Sequence, residues 1–287
     1  MSAASRRRTC ARSRSSAARE SEIVEQVVLL DRPSPSVARL RINRPAKRNA
    51  IDHAVRQGFI DALGGLRGDP SVRALVLGGV DGVFSAGGDL PTMANLDHAQ
   101  AEARMRHVHA VCRALAESGL SIVSALEGVV AGAAVGMALL GDHIVAGRRT
   151  QILFPFLRLG LAPDWGQLFT LRQRVSKVTA WRLVTSPAAV SGEQAFTIGL
   201  ADQLVADDDI MNAAIIEALR LSQLPIEALR RTRERLTDPS RSLEDELARE
   251  VRDQAVCLTG SEFAEGYAAF MAKRAPDFLG IAAKERA

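Results

Sequence analysis

Two glycine-rich stretches could present backbone N–H groups to one negatively charged oxygen. They are FSAGGDL (residues 84–90) and EGVVAGAAVGMALLGD (residues 127–142), and each follows an apolar run that reads as a strand. In the second stretch, Gly128, Gly132, Ala133, Ala134 and Gly136 keep side chains out of the way and open a helix whose first N–H groups have no partners. If both strand ends face one pocket, an N–H from each can meet on a carbonyl that becomes an enolate or a tetrahedral oxyanion. A buried helix of small residues packed on a sheet explains the second stretch equally well. Asp164 in LAPDWG follows a proline and precedes a helix, where a carboxylate can cap the helix.

The elements that would position these groups alternate. Strands are expected at 23–30 and 37–42 around a Pro-rich turn (RPSPS), at 72–80, at Ser121–Leu126 and at 143–146, with a short one at 151–154. A helix starts near Asp52 and buries Val55, Phe59, Ile60, Leu63 and Leu66 at helical spacing, and a polar helix spans 99–117. Helices begin at Trp165, and from Ser176 onward the pattern is helical throughout. Strand, helix and strand in alternation predict an α/β class.

Composition narrows the partners. Of the net charge of +4, six arginines lie within residues 1–19, which hold no acid, so the rest of the chain carries −2 and has no basic face for nucleic acid. That Arg/Ser-rich tail (1–20) is expected to be disordered, although organellar targeting peptides have the same composition. Cys10, Cys112 and Cys257 offer neither a disulfide framework nor a metal spacing, which suits the cytoplasm. The longest apolar run is too short to span a bilayer.

The ordered set INRPAKRNAI (42–51), FSAGGDL, EGVVAGAAVGMALLGD, FPFLRLGLAPDWG (154–166), SGEQAFTIGLADQLV (191–205) and EGYAAFMAKRAPDF (265–278) resembles the crotonase superfamily, the enoyl-CoA hydratase/isomerase family. The resemblance runs from about residue 23 to 278. It implies a crotonase-like α/β core of ββα spiral turns (21–205) and a helical C-terminal trimerisation region (206–287), assembled as a homotrimer or a dimer of trimers. It also implies an acyl-CoA thioester substrate, with no separate cofactor or metal, whose carbonyl meets the N–H groups of Gly88 and Ala133. Family members usually carry glycine where Ala133 stands. Lys47, Arg48, Ala50, Ala86, Asp89 and Leu90 would flank the CoA. Phe156 and Trp165 would wall the acyl group, or belong to the core. Phe270 and Lys273 would reach the CoA of an adjacent subunit, unless Phe270 is a core aromatic.

The family's hydratases use two glutamates, and here Gly136 and Phe156 occupy those positions. Ordinary hydration is therefore not expected, and the resemblance implies an isomerase with Asp164 as its only carboxylate. A non-catalytic acyl-CoA-binding homologue, or a dehalogenation, decarboxylation or C–C hydrolysis, are the alternatives. The histidines on and before the helix at 99–117 are expected to face solvent.

Overall fold

The computed structural model describes residues 26–284. The arginine-rich tail falls outside them. In chain order the strands are β1 (Val28–Ser34), β2 (Val37–Ile42), β3 (Ala74–Gly79), β4 (Ser121–Leu126), β5 (Val129–Ala131), β6 (His143–Gly147), β7 (Gln151–Leu153), β8 (Val190–Ser191) and β9 (Gln203–Val205). The α-helices are α1 (His53–Arg67), α2 (His98–Ala116), α3 (Ala133–Ala138), α4 (Gln167–Arg174), α5 (Lys177–Thr185), α6 (Gly192–Thr197), α7 (Ile210–Ser222), α8 (Ile226–Thr237), α9 (Leu243–Thr259), α10 (Ser261–Met271) and α11 (Phe278–Lys284).

Six strands form one sheet in the order β1-β2-β3-β4-β6-β9, parallel except for the β1–β2 hairpin, and β5, β7 and β8 form a second. In β4-β5-α3 the chain passes from the large sheet to the small one and then into a helix, a ββα unit. A mixed α/β fold of the crotonase kind is thus present, with helices completing the C-terminal region.

The sheet is buried on both faces, so its central strands are continuous apolar runs, ALVLGG in β3 and SIVSAL in β4. Against one face lie Ile210, Ala214 and Ala218 of α7, packed on Val76, Val123 and Val145. The other face carries α1, α2 and the small sheet around Phe59, Leu77, Leu115 and Ile122. Among the described residues no helix is long and apolar enough to cross a membrane.

Four expectations need correction. β1 runs on through Pro33 to Ser34, where a turn was expected; it is an edge strand, and its register slips between Asp31 and Ser34, so the missing proline N–H costs no ladder bond. β5 intervenes before α3, and β8 and β9 interrupt the stretch read as helical after Ser176. Strands of two or three residues are too short to show an alternating pattern. Finally, α4 starts at Gln167, not at Trp165, because Trp165 (φ 56°) and Gly166 (φ 68°) both take the left-handed conformation.

One arginine fastens the loop that precedes α1 to the loop that follows β3. Arg44 donates to the carbonyl of Ala50 (2.7 Å) and to the Asp89 carboxylate (3.1 Å), and lies 3.2 Å from the carboxylate of Asp52, which caps α1 by accepting from the Val55 N–H. All three side chains are mostly buried, so removing the cation would leave two carboxylates uncompensated. Arg44→Met is expected to lower unfolding free energy by about 3 kcal/mol in denaturant titration, against about 1 kcal/mol for loss of the cap in Asp52→Ala.

Candidate active site

The loop after β3 lies beside the segment that leads into α1 in strand-like register. The Ile51 N–H donates to the Gly87 carbonyl (2.7 Å), and the Asp89 N–H donates to the Ile51 carbonyl (3.1 Å). In extended chain successive groups alternate in direction, so the Gly88 N–H points away from Ile51. On the other side, Ser85 pairs with the small sheet by donating to Val129 and accepting from Ala131. Gly87 touches the turn before α3 so closely that a methyl built on it would fall 2.4 Å from the Ala131 carbonyl oxygen and 3.6 Å from the Ala133 nitrogen. Only glycine allows that approach.

The Ala133 N–H is aimed in the same manner. A trans peptide directs its C=O and N–H in opposite senses, so whatever holds a carbonyl also orients the next residue's N–H. The Gly132 carbonyl accepts from the side chain of Gln167 (3.2 Å) and from the Val135 N–H (3.0 Å). Gln167 is fully buried (0% exposed). Among the described residues neither the Gly88 N–H nor the Ala133 N–H has an acceptor. Two unpaired donors on adjoining loops form a site for an oxygen that gains negative charge.

Asp164 lies beyond Gly136. A methyl at Gly136 would fall 2.5 Å from the Trp165 Cβ and 3.1 Å from the Asp164 carbonyl oxygen. The 164–165 backbone therefore fills the space that a side chain on α3 would need. Trp165 is 2% exposed and holds a backbone conformation that a bulky residue rarely adopts. Phe156, expected at the other glutamate position, is buried, and its ring would lie 3.8 Å from a methyl on Gly132.

The capping role considered for Asp164 is not what this residue does. The N-cap of α4 is Gly166, which makes no side-chain capping bond, and the Asp164 Oδ1 is buried without a partner. Burial raises its pKa from 3.8 to about 6, while the positive charges of Arg104 and Arg56 pull it back. Cys112 shares this region: burial, then the Asp164 charge, push its thiol up to about 12, so no thiolate competes as a base or nucleophile.

Most residues expected to flank the CoA gather along one ridge. Lys47 and Arg48 are exposed on a short 3-10 turn, the Arg48 carbonyl accepts from the Ala86 N–H (2.9 Å), and Ala50, Asp89 and half-exposed Leu90 follow on either side of the Ile51–Gly88 pairing. The Asp89 carboxylate is committed to Arg44. Phe270 is 80% exposed and so is not a core aromatic; it and Lys273 lie at the end of α10, which packs on α9 and α11.

Three side chains of the site escaped the sequence reading. Gln167 gave no signal, since a glutamine in the first turn of a helix is ordinary. Arg56 did give one, because it stands four residues before Ile60 and seven before Leu63, on the apolar face of α1. Arg104 reaches Gly88 from α2, its Nη2 lying 3.5 Å from where a Gly88 methyl would be. The expectation that the α2 histidines face solvent fails at His107, which is half-buried, stacks on His53 (ring centroids 4.4 Å apart) and accepts at Nδ1 from the Arg56 Nε (3.2 Å). Burial and the neighbouring charges of Arg56 and His53 lower its pKa, so the ring stays neutral.

Residues 32–281 match the family described as enoyl-CoA hydratase/isomerase. The chain is 29% identical over 259 residues to the 1,2-epoxyphenylacetyl-CoA isomerase of Escherichia coli (strain K12), covering 88% of this chain and 98% of that protein. It is likewise 29% identical over 265 residues to the mitochondrial enoyl-CoA hydratase domain-containing protein 2 of Bos taurus, covering 89% and 88%. The fold superposes on the crystal structure of an enoyl-CoA hydratase from Polaromonas sp. JS666 with a TM-score of 0.82 and 25% identity, over 87% of this chain and 98% of that one. Matched over most of its length in sequence and in fold, the chain belongs to the enoyl-CoA hydratase/isomerase family, the crotonase superfamily of enzymes.

Proposed function

We propose that the protein is an acyl-CoA double-bond isomerase with a single acid–base group. The observation that carries this reading is a lone buried carboxylate, Asp164, at a site where both glutamate positions of a hydratase are filled by other atoms. The thioester oxygen is taken to lie between the Gly88 and Ala133 N–H groups. The CoA runs along the ridge of Lys47, Arg48, Ala50, Ala86, Asp89 and Leu90, and the acyl chain turns inward past Phe156 and Trp165. Asp164 removes a proton from C2 of a 3-enoyl-CoA, and the electrons spread into a dienolate whose oxygen is held by the two N–H groups. The same carboxyl then returns that proton at C4, giving the 2-enoyl-CoA. A pKa near 6 suits both steps, because the group is a carboxylate at neutral pH yet basic enough to keep the proton while the dienolate lasts. Phe270 and Lys273 are assigned to the CoA of a neighbouring subunit in a homotrimer or dimer of trimers. The apolar side chains exposed on the helical region, Leu243 and Val251 among them, support that assembly.

Asp164→Asn is expected to reduce conversion of 3-enoyl-CoA to 2-enoyl-CoA by about 10²–10⁴-fold. Unchanged turnover would remove Asp164 from the mechanism. In the unmodified protein kcat/KM should rise with pH through about 6 and then level, since only the ionised form can take the proton. Deuterium entering C2 or C4 in D₂O would report the same enolate chemistry, and tight acyl-CoA binding with neither exchange nor turnover would make the protein a carrier instead.

The same shift fixes a stability effect. Because the folded pKa is raised, the native state holds the proton more tightly, and stability falls as pH rises from about 4 to about 6. At neutral pH Asp164→Asn should therefore gain on the order of 2 kcal/mol while losing activity. Removing a helix cap would do the reverse.

Restoring a glutamate on α3 should not restore hydration. Gly136→Glu is expected to disrupt the Asp164–Trp165 backbone, and the milder Gly136→Ala to cost about 1–3 kcal/mol. Appearance of crotonyl-CoA hydration in Gly136→Glu would sink the packing argument.

A further inference from the structure

The isomerase reading leaves two arginines without a task. Arg56 lies on the buried face of α1 at 4% exposure, and its Nη1 is buried without a hydrogen-bond partner. Its Nε is used by the neutral ring of His107, which holds the guanidinium plane in place. Neither Arg56 nor Arg104 forms an ion pair with a carboxylate among the described residues. The charges of both act on Asp164, and Arg104 also reaches the loop that carries the Gly88 N–H, so both cations bear on the space around Asp164 and Arg104 stands beside the Gly88 loop.

The charge balance of that space is unusual. Two guanidinium groups face one carboxylate that is itself only partly ionised near pH 6, and the other acid close to Arg56, Asp52, is already engaged by the Val55 N–H and by Arg44. A buried cation with an unmet N–H costs free energy until something with negative oxygens arrives. A terminal carboxylate suits it, because a guanidinium offers a planar fork that matches a carboxylate in a way a lone ammonium cannot.

We infer that the acyl group of the substrate ends in a carboxylate, which the Arg56 guanidinium binds with Arg104 beside it. The substrate class is thus a CoA monothioester of a dicarboxylic acid. This rests on the acyl-CoA reading of the site and extends it to the far end of the acyl chain. The carboxylate would fix how far the chain enters and so which carbons lie under Asp164.

The test uses binding, so it does not depend on turnover. Saturated dicarboxylyl-CoA thioesters from succinyl-CoA to adipoyl-CoA are titrated calorimetrically into the full-length protein. Each is paired with its methyl-ended counterpart of equal length, and adipoyl-CoA also with its methyl ester, which keeps the acceptor oxygens and removes the charge. The best dicarboxylyl ligand should bind at least roughly tenfold more tightly than either control. That ratio should fall in Arg56→Lys and approach one in Arg56→Met. Arg104→Met should lower it as well, and provides a second measurement if the Arg56 variants fold poorly. Equal affinity for the dicarboxylyl and methyl-ended ligands would overturn this inference while leaving the isomerase reading intact. So would a ratio unmoved in both Arg56→Met and Arg104→Met, which would make Arg56 a brace between α1 and α2. If no acyl-CoA bound at all, the acyl-CoA reading itself would fall, and this inference with it.

Discussion

The geometry of the site depends on the planarity of two peptide units. The bond between Gly87 and Gly88 and the bond between Gly132 and Ala133 each carry a carbonyl held on one side and an N–H left free on the other. Ile51 holds the first carbonyl and Gln167 the second, so the segment leading into α1 and the start of α4 orient two donors on other loops. This is preorganisation in a literal sense. The dipoles are fixed before any charge develops, and no reorganisation is required at the moment of reaction. Glycine at position 87 is needed because the two loops meet backbone to backbone, and Ser85 secures the same loop to the small sheet.

The second dependency is steric. Gly136 has no side chain, and the backbone at Asp164 and Trp165 occupies the space that one would fill. A side chain on α3 at position 136 and the backbone that carries Asp164 therefore compete for one volume. The loop reaches this place through a left-handed Trp165, an uncommon conformation for so large a residue, which the packing of its ring in the core sustains. The same burial strips water from Asp164 and raises its pKa.

Charge is the third layer. Near the ridge, Arg44 is fully used, between two carboxylates and a carbonyl, and its role is to fasten loops. Arg56 is more deeply buried but only partly satisfied, with one nitrogen on His107 and another without a partner among the described residues. Burial, then Arg104, push it down to about 10, so it remains a cation at neutral pH. Two arginines twelve residues apart thus differ: one is satisfied by carboxylates and a carbonyl, the other keeps an unmet N–H.

How much the sequence determined follows from how local each signal is. The hydrophobic runs placed β3, β4 and β6 and the helices α1 and α2 to within two residues, because burial on one face or on two leaves a period in the chain itself. The ordered motifs identified the family and the glycines at which its loops turn. Short strands such as β5 and β8 were not legible, since two or three residues carry no period and are strands only through their partners. For Asp164 the sequence left proton transfer and capping both open, and only the fold shows that Gly166 takes the cap position and that the carboxylate Oδ1 is buried without a partner among the described residues. Gln167, Arg104 and the stacking of His107 on His53 depend on contacts between residues far apart in the chain. Residue types and local spacing therefore determined what chemistry was available, whereas the tertiary packing alone decided which groups lost water, which carbonyls were held and which cation kept an open hydrogen bond.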